Sequence, residues 1–225
     1  MAGMAEPGNA YERPRSALCR WGVYVILDRH IAGKPHLEIA RAAIAGGARV
    51  IQLRDKTAPF EELVETGRAL RAVTRDAGVT LIVNDNPYLA VEVEADGVHL
   101  GQNDFPPETA RDIVGPEMIV GLSTHNKEQA LRAEFEPVDY IGVGPVFPTQ
   151  SKESEWKPLG VSHVAWVKRT LRLPVVAIGG ITLETLGEVV ASGADNAAII
   201  GDIMRSEDIA ARVRQLAARW SQTAP

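Results

Sequence analysis

Cysteine and long apolar runs are what this 225-residue sequence most clearly lacks. Its single cysteine, Cys19, leaves no second thiol for an internal disulfide, a CxxC redox pair or a cysteine-based zinc site. The longest apolar runs, at 21–27 and 175–178, fall far short of the ~20 residues that a membrane-spanning helix requires. The first residues include Gly, Pro and charged side chains instead of the apolar stretch of a secretory signal, so we expect a cytoplasmic protein with no membrane partner.

An excess of positive charge is lacking as well. Lys plus Arg number 24 and Asp plus Glu number 29, which gives a net charge of −5. This balance disfavours a nucleic-acid partner, so any anionic ligand needs a local group of basic side chains. With 45% hydrophobic residues, the chain is long enough to bury one core and short for two. We therefore expect a flexible N-terminal extension over residues 1–18 and a single folded domain over 19–225.

Short apolar segments rich in β-branched residues alternate with stretches that have apolar residues at helical spacing. One helical pattern covers 36–47 and ends at a glycine pair, and another begins after Pro59 and ends at Gly78. The strand segments lack strict alternation, which is typical of parallel strands covered on both faces. Eight such units predict an α/β fold of the (β/α)₈ TIM-barrel type, although a doubly wound sheet shows the same local pattern. The predicted strands are 22–27, 49–53, 80–83, 97–100, 118–123, 140–144, 174–179 and 197–201.

In such a barrel, polar residues at the carboxyl ends of the strands converge on one rim. The second strand runs into Gln52, Arg54 and Lys56, which would share one side of an extended segment. Two cations and an amide suit a pyrophosphate, because Arg offers a fork of donors and Lys a compact charge. Taken alone, the same cluster is also typical of a solvated strand end.

Carboxylates follow the third and fourth strands. Asn84 and Asp85 come directly after one strand, and Asp104 comes shortly after the next. Mg²⁺ is commonly held by one or two carboxylates together with substrate phosphates, so this pair predicts a magnesium site. The alternative is that Asp85 begins an Asx turn before Pro87 and that Asp104 caps the helix after Pro106. The neighbouring cations favour the metal.

Further polar positions follow the later strands. Ser123 ends strand five, where it is a candidate ligand or a helix cap, whereas we interpret His99, within strand four, as a packed or hydrogen-bonded structural residue. The loop over 144–154 carries Lys152 and several hydroxyl residues, which is typical of a ligand-covering loop. Glycines after strands seven and eight indicate a phosphate site built from backbone N–H groups.

Together these segments resemble the thiamine phosphate synthase family. The motifs that carry the resemblance are IQLRDK, VNDNP, GVHLGQNDFP, GLSTH, GVGPVFPTQSK and AIGGI, in the family's order and at its approximate spacing. They cover nearly all of the chain after residue 20. The resemblance implies a transferase of thiamine biosynthesis that joins 4-amino-2-methyl-5-pyrimidinylmethyl diphosphate to 4-methyl-5-(2-phosphoethyl)thiazole, or its carboxylated form, and releases pyrophosphate.

The resemblance also implies individual roles. The residues expected to bind the pyrimidine diphosphate are Gln52, Arg54, Lys56, Asn84, Ser123 and Lys152, among which Arg54, Lys56, Ser123 and Lys152 are expected to be catalytic. The residues expected around the thiazole phosphate are Thr149, Gln150, Ser151, Gly180, Ile200 and Gly201, and those expected to bind Mg²⁺ are Asp85 and Asp104. Gly201 departs from the family, which often has Ser there, so a hydroxyl donor is lost and the backbone N–H is kept.

These residues fit a Mg²⁺-assisted dissociative substitution. Early C–O cleavage forms a cation that the aminopyrimidine delocalises, so the leaving pyrophosphate needs fixed positive charge. The thiazole nitrogen then attacks with its own lone pair. The chain has no GxSxG, P-loop or GxGxxG motif. Two alternatives stay open: a thiazole tautomerase, which is similar in sequence but uses a His where this chain has Gly144 and Pro145, and a non-catalytic sensor of thiamine precursors. A homo-oligomer also stays open.

Overall fold

The computed structural model describes residues 21–149 and 156–223. Within these residues, eight parallel strands pair in chain order, and the last strand also pairs with the first. The strands are β1 (Gly22–Leu27), β2 (Val50–Leu53), β3 (Thr80–Asn84), β4 (Gly97–Leu100), β5 (Ile119–Thr124), β6 (Tyr140–Val143), β7 (Val175–Ile178) and β8 (Asn196–Ile199). The predicted TIM barrel is confirmed, and the doubly wound alternative is wrong because the sheet closes. The predicted extension over residues 1–18 lies outside the described residues.

Helices follow the strands around the outside of the barrel. They are α1 (Arg29–Ala32), α2 (His36–Ala45), α3 (Phe60–Ala77), α4 (Pro87–Glu92), α5 (Pro107–Val114), α6 (Lys127–Ala133), α7 (Val161–Thr170), α8 (Leu186–Ala191), α9 (Gly201–Met204) and α10 (Ile209–Thr223). As the sequence predicts, α3 begins after Pro59 and ends at Gly78, whose φ of 66° lies in the left-handed region. In the part of the chain that the structure describes, no helix is both long and apolar enough to cross a membrane.

The observed strands agree with the predicted ones except at their ends. The largest difference is in the last strand, because β8 ends at Ile199 instead of residue 201. Ile200 and Gly201 turn away from the sheet, and Gly201 begins the short helix α9. The Gly201 N–H is therefore at the first position of a helix, where it has no partner within that helix.

The strand register decides which side chains point into the barrel. Residues paired across parallel strands share a face, and Asn84 pairs with His99, His99 with Gly121, and Ser123 with Gly142. Successive residues of a strand alternate between faces, so this inner set also includes Tyr24, Gln52 and Tyr140. The barrel interior thus holds a group of polar side chains, in contrast to the apolar shell between the strands and the helices.

Candidate active site

The basic segment after β2 does not keep the shared side that the sequence predicts for its polar residues. Because β2 ends at Leu53, the alternation that would put Gln52, Arg54 and Lys56 on one side is lost. Gln52 stays inside the barrel and is 2% exposed. The Arg54 side chain reaches towards the end of β1, and the Lys56 side chain reaches towards the end of β3. All three stay at the carboxyl end of the barrel.

Asp28 holds the Arg54 guanidinium. Its Oδ2 accepts a hydrogen bond from Arg54 Nη1 at 2.7 Å, while its Oδ1 accepts from the backbone N–H groups of His30 and Ile31 and so caps α1. Both side chains of the pair are largely buried, at 13% exposed for Arg54 and 9% for Asp28. Sequence reasoning missed Asp28, although its position directly after β1 is at the same rim and is the signal that would have found it.

Asp85 and Asp104 lie side by side at the ends of β3 and β4. Lys56 Nζ is 3.2 Å from Asp85 Oδ2, and Asp104 Oδ2 accepts a hydrogen bond from the Gly101 N–H at 2.6 Å. Burial, together with the hydrogen bond and negative charge of the neighbouring Asp85, raises the pKa of Asp104. The backbone of Asp85 has a φ of 65°, a conformation that non-glycine residues adopt rarely and often at functional sites.

The structure argues against the capping alternative for these carboxylates. Asn86, and not Asp85, caps α4 by accepting a hydrogen bond from the Leu89 N–H at 3.1 Å. The helix α5 begins after Pro106 without a side-chain cap, while Asp104 bonds back into its own turn at Gly101. Neither carboxylate therefore caps the N-terminus of the helix that follows it.

The donor set fits Mg²⁺. Burial is the largest cause of the raised pKa of Asp104, and the charge of the adjacent Asp85 adds to it. A divalent cation between the two carboxylates would remove their repulsion. Among residues 21–149 and 156–223, no group of three or more His, Cys, Asp and Glu side chains could hold a metal. The remaining ligands would have to be substrate phosphates and water, which is the usual arrangement for Mg²⁺.

Below this rim, hydrogen bonds join polar side chains across the barrel interior. Gln52 Nε2 donates to Tyr24 OH at 2.8 Å, and Tyr24 OH lies 3.1 Å from Tyr140 OH. His99 Nδ1 is 2.9 Å from Tyr140 OH, and His99 Nε2 is 2.9 Å from Ser123 Oγ. The interpretation of His99 as a hydrogen-bonded residue is confirmed. The tyrosines were missed, because nothing in their local sequence shows that they meet.

The loop after β6 is fastened to the end of β7. Val146 and Phe147 donate backbone hydrogen bonds to the carbonyls of residues 178 and 179, at 2.8 and 2.9 Å. Gly180 has a φ of 65°, and a Cβ there would lie 2.4 Å from the Pro148 carbonyl oxygen. Only glycine allows this close approach, which holds Thr149 near the β7 end. Gln150, Ser151 and Lys152 lie outside the described residues.

The remaining predicted phosphate ligands follow neighbouring strand ends. Gly180 comes after β7, whereas Ile200 and Gly201 come after β8, which pairs with β7. The structure thus brings three groups to the same rim: the basic residues after β2, the carboxylates after β3 and β4, and the glycine turns after β7 and β8. Such a rim has the parts needed to bind two phosphorylated molecules side by side.

Comparison with known proteins points to one family. The family model described as thiamine monophosphate synthase matches residues 23–203. A thiamine-phosphate synthase of Moorella thermoacetica is 44% identical over 198 residues, which are 88% of this chain and 94% of that protein. A thiamine-phosphate synthase of Roseiflexus sp. is 47% identical over 195 residues, covering 86% of this chain and 83% of that protein. A solved thiamine phosphate pyrophosphorylase from Pyrococcus furiosus superposes with a TM-score of 0.85 at 38% identity, covering 91% of this chain and 98% of that one.

Proposed function

The chain belongs to the thiamine monophosphate synthase family, and from that premise we propose how its residues divide the reaction between them. Its function is that of a thiamine-phosphate synthase, a transferase of class EC 2.5.1.3 that acts on small molecules. It joins the pyrimidinylmethyl diphosphate to the thiazole phosphate and releases pyrophosphate. The observation that carries this conclusion is the match to named synthases over nearly the whole barrel. The tautomerase alternative is disfavoured, since Gly144 and Pro145 stand where that relative uses a histidine.

We assign the pyrimidine diphosphate to the rim above β2, β3 and β5. Arg54 and Lys56, with Lys152 from the loop after β6, would supply fixed positive charge around the leaving pyrophosphate. Charges already held in place stabilise the transition state without reorganisation, which is what a dissociative C–O cleavage needs. Asp28 prepares Arg54 for this role, because its 2.7 Å contact with Nη1 leaves the other guanidinium N–H groups able to donate to phosphate.

Asp85 and Asp104 are the proposed Mg²⁺ ligands. When bound, the ion would add positive charge next to the departing diphosphate. The role of the protein is to hold two carboxylates together against their repulsion, through the left-handed turn at Asp85 and the bond from Gly101 to Asp104. Lys56, 3.2 Å from Asp85, balances part of their charge.

The thiazole phosphate belongs at the glycine turns after β7 and β8. We propose contacts from Thr149, Gln150, Ser151, Gly180, Ile200 and Gly201. The backbone hydrogen bonds from residues 146–147 to residues 178–179 hold the loop after β6 next to the glycine turn after β7. At Gly201 the hydroxyl that relatives often carry is lost and the backbone N–H is kept, so this position would contribute a backbone donor alone.

The cellular setting follows from the substrates and the charge. Both substrates are phosphorylated metabolites, which favours the cytoplasm, and a net charge of −5 disfavours a nucleic-acid partner. The positive charge that the reaction requires is concentrated at one rim of an acidic protein.

Replacing Asp104 by Ala tests the metal assignment. We expect turnover to fall by about 100-fold or more and the response to added Mg²⁺ to be lost, because one of two protein ligands is gone. Asp112→Ala is the matched control, since Asp112 is an exposed carboxylate on the neighbouring helix α5. Circular dichroism should show both variants folded. Unchanged Mg²⁺-dependent turnover in Asp104→Ala would remove this residue from the metal site.

A further inference from the structure

The hydrogen bonds inside the barrel form a continuous chain with two functional ends. The chain runs from Gln52 through Tyr24, Tyr140 and His99 to Ser123, and its four links are between 2.8 and 3.1 Å. Its two ends are both residues that we propose to bind the pyrimidine diphosphate, on opposite sides of the barrel interior. The direction of the hydrogen bond at Gln52 is thus coupled to whether Ser123 Oγ donates or accepts at the other end.

The Gln52 amide sets a direction for this chain. Gln52 Nε2 donates to the Tyr24 hydroxyl, which leaves Tyr24 to donate to Tyr140. Burial raises the pKa of both tyrosines, so each keeps the one proton that it has to donate. With Tyr140 as the donor to His99 Nδ1 at 2.9 Å, a neutral His99 ring would carry its proton on Nε2, where the partner at 2.9 Å is Ser123 Oγ.

The chemistry of the diphosphate requires the same direction. Fully ionised phosphate oxygens are acceptors only, so the Ser123 hydroxyl can bond to them only as a donor. To be held in place as a donor it must accept a bond from its other partner, which is His99 Nε2–H. With His99 donating to Ser123, Tyr140 must donate to His99, Tyr24 to Tyr140, and Gln52 to Tyr24. The last of these bonds agrees with the observed orientation of the Gln52 amide.

We propose that His99 is a positioning residue which, as its Nε2–H tautomer, fixes the Ser123 hydroxyl as a donor towards the substrate diphosphate. At the other end of the chain, Gln52 Nε2 is committed as a donor to Tyr24, which leaves Gln52 Oε1 as the acceptor of that amide. The inference rests on the proposed function through Ser123, whereas the direction of the chain is a property of the protein alone. His99 acts through Ser123 and needs no contact with the reacting atoms.

The packing around the two rings supports a fixed arrangement. The His99 imidazole stacks on the Tyr140 ring, with centroids 5.4 Å apart and an angle of 28° between planes. Gly121 and Gly142 lie on the same inner face and leave the room that these rings occupy. A Cβ at Gly121 would lie 2.2 Å from Tyr140 Cζ, and one at Gly142 would lie 3.2 Å from His99 Cε1. The rings are therefore held by packing as well as by hydrogen bonds.

The tautomer can be measured directly. In the full-length protein labelled with ¹⁵N, long-range ¹H–¹⁵N spectra at about pH 8 distinguish the two neutral tautomers, and the His99→Gln variant assigns the signal. We expect His99 as the Nε2–H tautomer. A matched pair of variants each removes one buried hydroxyl: Tyr140→Phe should disturb this tautomer, whereas Tyr24→Phe should leave it unchanged because Tyr140 can still donate. An Nδ1–H or cationic His99 in the unaltered protein would overturn the proposal.

Kinetics tests the connection to Ser123. His99→Leu should lower kcat by about 10- to 100-fold with little change in the KM for the thiazole phosphate, and His99→Gln, which restores an N–H donor, should recover part of the loss. In a Ser123→Ala background, His99→Leu should add less than about twofold, because the two residues act as one unit. Full additivity would contradict the positioning role. If Ser123→Ala alone has no effect, the diphosphate assignment fails, while the tautomer measurement still decides the direction of the chain.

Discussion

Asp28 supplies the sharpest prediction, because one carboxylate both caps a helix and holds a proposed catalytic cation. In Asp28→Asn, the side-chain oxygen can still accept the N–H groups of His30 and Ile31, since Asn and Asp are equally good caps. What is lost is the negative charge at the 2.7 Å contact with Arg54 Nη1. The variant therefore separates the two roles of the residue.

The size of the effect follows from burial and geometry. A hydrogen bond between charged partners contributes about 1.5–3 kcal/mol, and the low exposure of both side chains, 13% and 9%, puts this pair within that range. For a domain of this size, about 2 kcal/mol lowers the Tm by roughly 4–8 °C. Release of Arg54 from its position should weaken transition-state stabilisation by a similar free energy. This corresponds to a decrease of roughly 10- to 100-fold in kcat/KM for the pyrimidine diphosphate.

The assay compares Asp28→Asn with Asp28→Ala by thermal melting and by steady-state kinetics. Asp28→Ala loses the cap as well, so its free energy of unfolding should be lower by a further ~1 kcal/mol, which lowers the Tm again. Its kcat/KM should be similar to that of Asp28→Asn. A lower Tm in Asp28→Asn with an unchanged or higher kcat/KM would show that Asp28 does not position Arg54 for catalysis. In that case Asp28 would neutralise Arg54 instead of positioning it.

Two other predictions concern the glycine turn and a buried histidine. Gly180→Ala should raise the KM for the thiazole phosphate and destabilise the protein by about 1–3 kcal/mol, because Gly180 has a φ of 65° and its Cβ would lie 2.4 Å from the Pro148 carbonyl oxygen. Gly193→Ala is the control for stability alone. Gly193 also has a positive φ, but it is exposed and its Cβ would lie 3.9 Å from the nearest side chain. Burial lowers the pKa of His36, so the unfolded chain binds this proton more tightly than the folded protein and the free energy of unfolding should fall as the pH drops below about 6.5. Urea unfolding between about pH 8 and 5 should show a smaller loss of stability in His36→Leu than in the unaltered protein, and an equal loss would contradict this assignment.

The barrel and most of the rim could be predicted from the sequence for physical reasons. Each βα unit has its own local pattern, and the carboxyl ends of parallel strands meet whatever the details of packing. Asp85, Asp104 and Ser123 were therefore placed at the rim from their positions after apolar segments alone. The glycine turn at Gly180 was also predicted, although only the structure shows the neighbouring loop that requires it.

Contacts that depend on exact register could not be predicted. Tyr24 and Tyr140 are separated by 116 residues and meet only because closure of the barrel directs both side chains inward. The end of β2 at Leu53 agrees with the predicted strand, but Arg54 and Lys56 beyond it do not share a side. Each side chain follows the nearest carboxylate, Asp28 for Arg54 and Asp85 for Lys56. The alternation of side chains holds only within a strand, and the path of the chain beyond the strand end depends on contacts with neighbouring elements.

The function proposed for this rim is to join two phosphorylated substrates by displacing pyrophosphate. The most direct test measures pyrophosphate and thiamine phosphate together, with each precursor and Mg²⁺ omitted in turn. We expect equal amounts of both products when the pyrimidine diphosphate, the thiazole phosphate and Mg²⁺ are all present, and neither product when any one is missing. Release of pyrophosphate from the pyrimidine diphosphate alone, or no product under any combination, would contradict it.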